Sequence, residues 1–414
     1  MGFVRGFVTP IVHLFSLVFL FTFCAAQTPA PSGKKIENDP TDQRAEELYK
    51  QGKFVDALPL FEALSADYPS DVAVRERWAW CLFQYAGTLP EPEKRKSARA
   101  RARKIAIEAN KLGDNSQILQ LLLELPEDGG EDVKFSDRRE IDDAMKKAEG
   151  DFSRGDLEKA REGYLRVLLM DPNNYDAALF TGDVYFKEHV QGAAGEWYAR
   201  AIQIDPNRET AYRYWGDSLA ALGKEEEARS KYIEAIVADP YRRRSWTGLE
   251  NWVNRNKLTL NYVKLKDGSA VSVKENKNVT LTIDNSLKED DPDITAWVAY
   301  GIGRSSWQTE ATKKEFPNIP RDRHTMQEEV FALNLMITII KEDKDYKKTL
   351  PKRSPAIQAL LKIQEAGFLE PFVLLNRADD GITQDYVAYR DKNRELIRRY
   401  LDEYVVPKIP AAGH

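Results

Sequence analysis

Between Ile141 and Pro240 the small and apolar positions return every 34 residues without a gap. Ala148, Gly182 and Gly216 share one place in this period; Ala160, Ala194 and Ala228 share another, Tyr164, Tyr198 and Tyr232 a third, and Val167, Ala201 and Ala235 a fourth. Within each period the apolar residues keep helical spacing. That spacing is interrupted once, at Gly155, His189 or Gly223, and closed by Asp171-Pro172, Asp205-Pro206 or Asp239-Pro240. The pattern predicts pairs of antiparallel helices. Small residues mark where two helices approach too closely for a larger side chain, and tyrosines fill the space beside them. Proline ends each second helix, because it lacks the amide the helix needs and restricts the residue before it.

The same pattern begins earlier in a more divergent form. Leu48, Phe54, Ala57, Phe61, Leu64 and Pro69 match the register, with Gly52 at the turn and Thr41 or Asp42 available as a helix cap. A further first helix runs over Val72 to Tyr85, followed by a loop from Ala86 to Glu93 and a second helix on the stripe Ala98, Ala102, Ile105, Ala109. Gln117 to Leu125 is one more apolar helix, and Pro126 to Asp137 is an acidic spacer. Beyond Pro240, Trp246, Leu249 and Val253 predict a capping helix over Arg243 to Asn256, entered through Arg242, Arg243 and Arg244. The period then changes. Leu258, Leu260 and Tyr262, then Val263 and Leu265, Val271 and Val273, and Val279, Leu281 and Ile283 alternate as strands do, with turns at Asp267-Gly268 and Glu275 to Asn278. A three-stranded meander this short is stable only against helices. The rest is helical: Ile294 to Ile302, a capping box Thr325 to Glu328, a helix opened by Ser354-Pro355 and closed by Gly367, and a long helix over Gln384 to Val406.

The 34-residue unit of small, aromatic, small and proline positions resembles the tetratricopeptide repeat, a helix–turn–helix module. The resemblance implies a helical solenoid, and the periodicity beyond it adds a small β-meander and a helical C-terminal domain, a mainly α fold. The organisation expected is a signal peptide at 1–26 and a flexible linker at 27–40. Divergent repeat-like helices follow at 41–125, an acidic spacer at 126–140, three regular units plus a capping helix at 141–257, the meander at 258–285 and the helical domain at 286–414. Ala296 to Gly301 and Arg323-His324-Thr325 to Leu335 resemble a region of secreted bacterial repeat proteins, a resemblance that implies no activity.

The first 26 residues read as an export signal: Arg5, the apolar run Ile11 to Phe23, and small residues at Cys24-Ala25-Ala26. The expected product is periplasmic or secreted, with no integral membrane domain once the signal is removed. Lipidation of Cys24 competes with this reading, though Phe21 and Phe23 stand against it, as does retention of the segment as an anchor. Removal would leave Cys81 as the sole cysteine. The net charge of −5 gives no reason to expect nucleic acid. The basic run Lys94 to Lys104 has no interleaved aromatic to stack on bases, so its charges are expected on the solvated face. Asn278-Val279-Thr280 spells a glycosylation sequon inside a strand, a place where chance match is the better reading.

Catalytic chemistry has few places to stand. Of the four histidines, His13 leaves with the signal, His414 ends the chain, His189 sits in a repeat turn, and His324 reads as an exposed residue before a helix. There is no zinc motif and no phosphate loop, and no cofactor is expected. A carboxylate hydrolase built on Glu289-Asp290-Asp291-Asp293 or Asp379-Asp380 is the surviving enzyme alternative, and a structural adaptor of envelope assembly is another. The leading expectation is a non-enzymatic scaffold for a protein or extended peptide.

In tetratricopeptide proteins the first helix of each unit lines the concave side, so the resemblance makes its outward residues groove candidates. Glu149, Asp183 and Asp217 fall at one equivalent place as an acidic ladder, with Asp142 and Asp176 as a second rung. Phe152 and Phe186 are the apolar anchors, Met145 and Leu179 the floor, and Lys187 and Arg213 dilute the charge. The ligand this implies is an extended segment carrying Lys or Arg beside an apolar side chain.

Overall fold

The computed structural model describes residues 39–131, 133–273, 279–284, 287 and 290–409. The expected signal, the linker up to residue 38, the turn at 275–278 with Asn278 of the sequon, Glu289 and His414 lie outside the described residues. The chain divides into two compact units, Met1–Lys224 and Glu225–His414, so the division falls between the two helices of the third regular repeat. Among the described residues no helix is long and apolar enough to cross a membrane.

The first unit is built of helical hairpins: α1 (Pro40–Lys50) with α2 (Phe54–Asp67), α3 (Val72–Thr88) with α4 (Pro92–Lys111), the short α5 (Gln117–Leu123), α6 (Arg139–Ser153) with α7 (Leu157–Met170), α8 (Tyr175–Lys187) with α9 (Gln191–Ile204), and α10 (Glu209–Ala221). Each helix packs on its chain neighbour in the hairpins, and α3 also packs on α6. α1 is capped by Asp39, which accepts from the Thr41 amide at 2.8 Å, so neither Thr41 nor Asp42 is the cap.

The turn residues found by register adopt one conformation. Gly52, Gly155, His189 and Gly223 have φ of +72°, +84°, +61° and +73°. In each case the next amide bonds back five residues: Lys53 to Leu48, Asp156 to Asp151, Val190 to Tyr185 and Lys224 to Leu219, at 2.9 to 3.0 Å. This is the Schellman closure, which needs a left-handed residue after the helix. His189 takes that conformation with a Cβ attached. Close approach accounts for the small positions: a Cβ on Gly182 would stand 2.6 Å from the Tyr198 ring, and one on Gly163 2.7 Å from Ala148 Cβ.

The basic face of α4 has a use that the sequence reading left out. Arg99 donates to the carbonyls of Gly129 and Gly130 at 2.7 Å, and Lys96 pairs with Asp128 and Glu131 at 2.8 Å. These charges hold the acidic spacer onto the helix. Cys81, in α3, is fully buried and its thiol is pushed up by burial.

The second unit contains α11 (Glu225–Ala238), α12 (Arg243–Arg255), β1 (Ser269–Val273), β2 (Val279–Ile283), α13 (Asp293–Ser306), α14 (Glu310–Glu315), α15 (Met326–Glu342), α16 (Tyr346–Thr349), α17 (Pro355–Glu365), α18 (Leu369–Asn376) and α19 (Tyr386–Tyr400). The three-stranded meander is corrected to a two-stranded antiparallel hairpin, with Val271 opposite Leu281. Leu258 to Leu265 alternates without forming a strand. Its Asn261 amide donates to Val405 at 2.9 Å and its Leu265 carbonyl accepts from Arg377 at 3.0 Å, so side chains and tail take its polar groups instead of a ladder. Gly268 is not the hairpin turn. It lies against α13, where a Cβ would be 2.4 Å from the Trp297 ring. The long terminal helix is broken: Asn393 is non-helical, and Leu401–Val405 widens into a π-helical turn.

Thr325 caps α15 as expected, accepting from the Glu328 amide at 3.1 Å. The Glu328 carboxylate does not complete a capping box and pairs with Arg304 at 3.0 Å.

Candidate functional site

The candidate groove residues separate into those facing the core and those at the surface. Met145 and Leu179 are fully buried in the core of the regular repeats. Glu149 and Asp183 are each only 7% exposed. Glu149 accepts from the Tyr164 hydroxyl, and Asp183 from the Tyr198 hydroxyl at 2.9 Å. The acid and the tyrosine 15 residues further along therefore form a couple inside the first two regular repeats. This corrects the acidic ladder: these two rungs face inward. Burial drives the Glu149 carboxyl up to about 8, opposed by the Tyr164 hydrogen bond and reinforced by the charges of Asp183 and Asp176, so at neutral pH it is mostly protonated and is no anionic rung.

Arg213 is also buried, paired with Glu209 at 3.1 Å and lying 4.5 Å from the centre of the Tyr214 ring. Phe152 is buried under Lys187, whose ammonium stands 4.8 Å from the ring centre. Burial pushes Lys187 down to about 8. Asp142, Asp176, Phe186, Lys187 and Asp217 keep partial exposure. Asp142 accepts from the Phe135 amide at 2.8 Å and pairs with Lys146 at 2.7 Å, and Asp176 pairs with Arg208 at 2.7 Å.

Two of the acids weighed for hydrolysis, Asp293 and Asp379, have structural partners. Asp293 accepts from the Ser354 amide at 2.9 Å and faces Arg353 at 3.3 Å; Asp379 accepts from the amides of Gly381 and Ile382 at 3.0 and 2.9 Å.

What the sequence reading missed lies in the second unit. Glu329 is fully buried on α15 and meets Arg377 Nε at 2.7 Å, the Tyr300 hydroxyl at 2.8 Å, Arg304 Nη1 at 3.2 Å and His324 Nε2 at 3.3 Å. Burial works to raise its carboxyl, but these partners outweigh it and hold it down at about 2. His324 is thus not an exposed pre-helix residue. A signal was present: Glu329 shares a helical stripe with Ala332, Leu333, Met336 and Ile340, and a carboxylate on an apolar stripe needs a buried partner.

The tetratricopeptide-repeat family model matches residues 43–87 and 145–209. The chain contains tetratricopeptide repeats. Among solved structures it is similar to the tetratricopeptide domain of P58(IPK), at 14% identity and a TM-score of 0.26, over 87% of this chain and 96% of that one. It is also similar to the APC/C hetero-tetramer Cut9–Hcn1, at 11% identity and TM-score 0.26, over 88% and 56%. A third is the C-terminal part of a tetratricopeptide-repeat protein from Cytophaga hutchinsonii, at 14% and 0.24, over 50% and 98%. A comparison with curated proteins found no match. Tetratricopeptide arrays are scaffolds for protein–protein interaction, and the two matched segments place the first unit in that class.

Proposed function

We propose that this tetratricopeptide chain is an exported scaffold whose first-helix face holds an extended polypeptide. The observation that carries the reading is the set of partly exposed side chains on the first helices: Asp142 on α6 and Asp176 on α8 at one place in the 34-residue period, Phe186 and Lys187 further along α8, and Asp217 on α10. A cationic segment would compete with Lys146 for Asp142 and with Arg208 for Asp176, both cations being partly exposed. Phe186 supplies the apolar anchor that specificity needs. The ligand this favours is a segment with Lys or Arg beside an apolar side chain.

Fluorescence anisotropy with a panel of extended peptides tests it. Peptides with a Lys or Arg next to Leu or Phe should bind, more weakly as salt rises. Asp176→Lys with Asp217→Lys should reduce affinity about tenfold, and Phe186→Ala by a similar factor. Equal binding of neutral and cationic peptides would refute the ligand class.

Export has its own support in Arg5, the Ile11 to Phe23 run and the small residues after it. Expressed in a bacterial host, the mature protein should have the intact mass of a chain starting at Gln27. Retention of Met1, or a lipid on Cys24, would reject it.

A further inference from the structure

In the second unit, an open cleft of about 530 Å³ is lined by Arg323, His324, Asp379, Asp380, Gly381 and Gln384. His324 stands between two carboxylates. Its Nδ1 lies 2.7 Å from Asp379 Oδ2, on the cleft side. Its Nε2 lies 3.3 Å from Glu329 Oε2, close enough for an ion pair but not aligned as a hydrogen bond.

A ring in this position has one protonation state that suits both neighbours. With both nitrogens protonated it offers a proton to each carboxylate. Either neutral tautomer points a lone pair at one of them. The two carboxylates differ in their freedom to respond. Glu329 is buried and fixed by Arg304 and Tyr300 of α13 and by Arg377. The Asp379 side chain is 51% exposed, in the turn between α18 and α19. That turn rests on the histidine itself: a Cβ on Gly381 would stand 2.4 Å from the His324 carbonyl oxygen.

We propose that His324 is a proton-operated latch, its doubly protonated ring clamping the turn Ala378–Ile382 against the fixed Glu329 and releasing that turn, and so widening the cleft, when a proton is lost.

The electrostatics support the direction. Burial and Arg304 oppose charge on the ring, but the contacts with Glu329 and Asp379 outweigh them and raise its affinity for a proton above the ordinary histidine value. Glu328, beside Glu329 on α15, is itself paired with Arg304. Arg323 is committed to the Gly381 carbonyl at 2.6 Å and to Asp385, which also accepts from the Met326 amide at 2.7 Å. Those bonds keep the Gly381 end of the turn in place, so that release moves its Asp379 end, while exposed Asp322 and Asp380 add negative charge that favours the protonated ring. A histidine whose folded pKa is raised contributes fully below its unfolded value of 6.5, and the contribution is lost as pH rises through the folded value. The latch is therefore closed in acid and open in base.

Hydrogen exchange on the full chain reads the latch directly, because Asp379 Oδ1 holds the Gly381 and Ile382 amides. Protection of these amides, corrected for intrinsic exchange, should fall about tenfold or more between about pH 5.5 and 9, in step with the His324 ring titration followed by NMR. His324→Gln should show low protection that does not change with pH, and Asp379→Asn should abolish the step and lower the histidine's titration midpoint. Unchanged protection across this range in the unaltered protein overturns the proposal, as does persistence of the step in either variant. Should His324→Gln fail to fold, Asp379→Asn, at a half-exposed side chain, decides the matter alone.

Discussion

Glu329→Ala is expected to destabilise the second unit by about 3–5 kcal/mol, the range for removing one partner from a buried ion network. The loss arises less from the missing contacts than from what remains. Arg304 and Arg377 would stand partly buried without a counter-charge, and the Tyr300 hydroxyl would lose its acceptor. Arg377 also donates to the Leu265 carbonyl and pairs with Asp267 at 2.7 Å, so its release loosens the approach to the hairpin. Urea unfolding of the full chain checks this as an earlier midpoint of the transition belonging to residues 225–414, with Glu329→Gln falling between the two. A change below about 1 kcal/mol would mean that the arginines find compensation in water.

Glu149→Gln should act in the opposite direction, and only at higher pH. The carboxyl of Glu149 is pushed from 4.5 up to about 8 in the folded chain. Below 4.5 both states hold the proton and no penalty exists. Between 4.5 and 8 the unfolded chain releases a proton that the folded chain keeps, so stability falls as pH rises, and above 8 the whole penalty is present. Glutamine keeps an acceptor for the Tyr164 hydroxyl and cannot ionise. The variant should match the parent near pH 4 and exceed it by about 2–4 kcal/mol at about pH 8, measured by denaturant unfolding at both values. An unaltered pH slope would mean that Glu149 reaches water in the native state.

The two variants also mark where the sequence was readable. The 34-residue register is a property of neighbouring positions, so the turns at Gly155, His189 and Gly223, the contact of Gly182 with Tyr198 and the helix pairs could all be inferred from spacing. The direction in which Glu149 and Asp183 point could not. Their place in the period lies at the margin of the buried face, and a hydroxyl 15 residues further along draws them inward. Leu258 to Tyr262 shows the same limit for strands. Alternation is local, but a strand needs a pairing partner, and Asn261 finds Val405. His324 depends on Asp379, 55 residues away, a separation at which no spacing rule operates. The small positions and turns were legible because their cause is adjacent backbone; the carboxylate partners were not, because their cause is packing.

The Tyr–carboxylate couples have a mechanical consequence. Each couple closes within one repeat, while ring contacts such as Tyr164–Phe180 and Tyr198–Tyr214 join one repeat to the next. Links closed within a repeat, and joined to the next by such ring contacts and by pairs such as Arg208–Asp176, are expected to yield under tension one hairpin at a time from the ends. The regular repeats are then expected to behave as a spring, lengthening by a hairpin once the pairs to its neighbour open while the couples inside the other repeats stay closed.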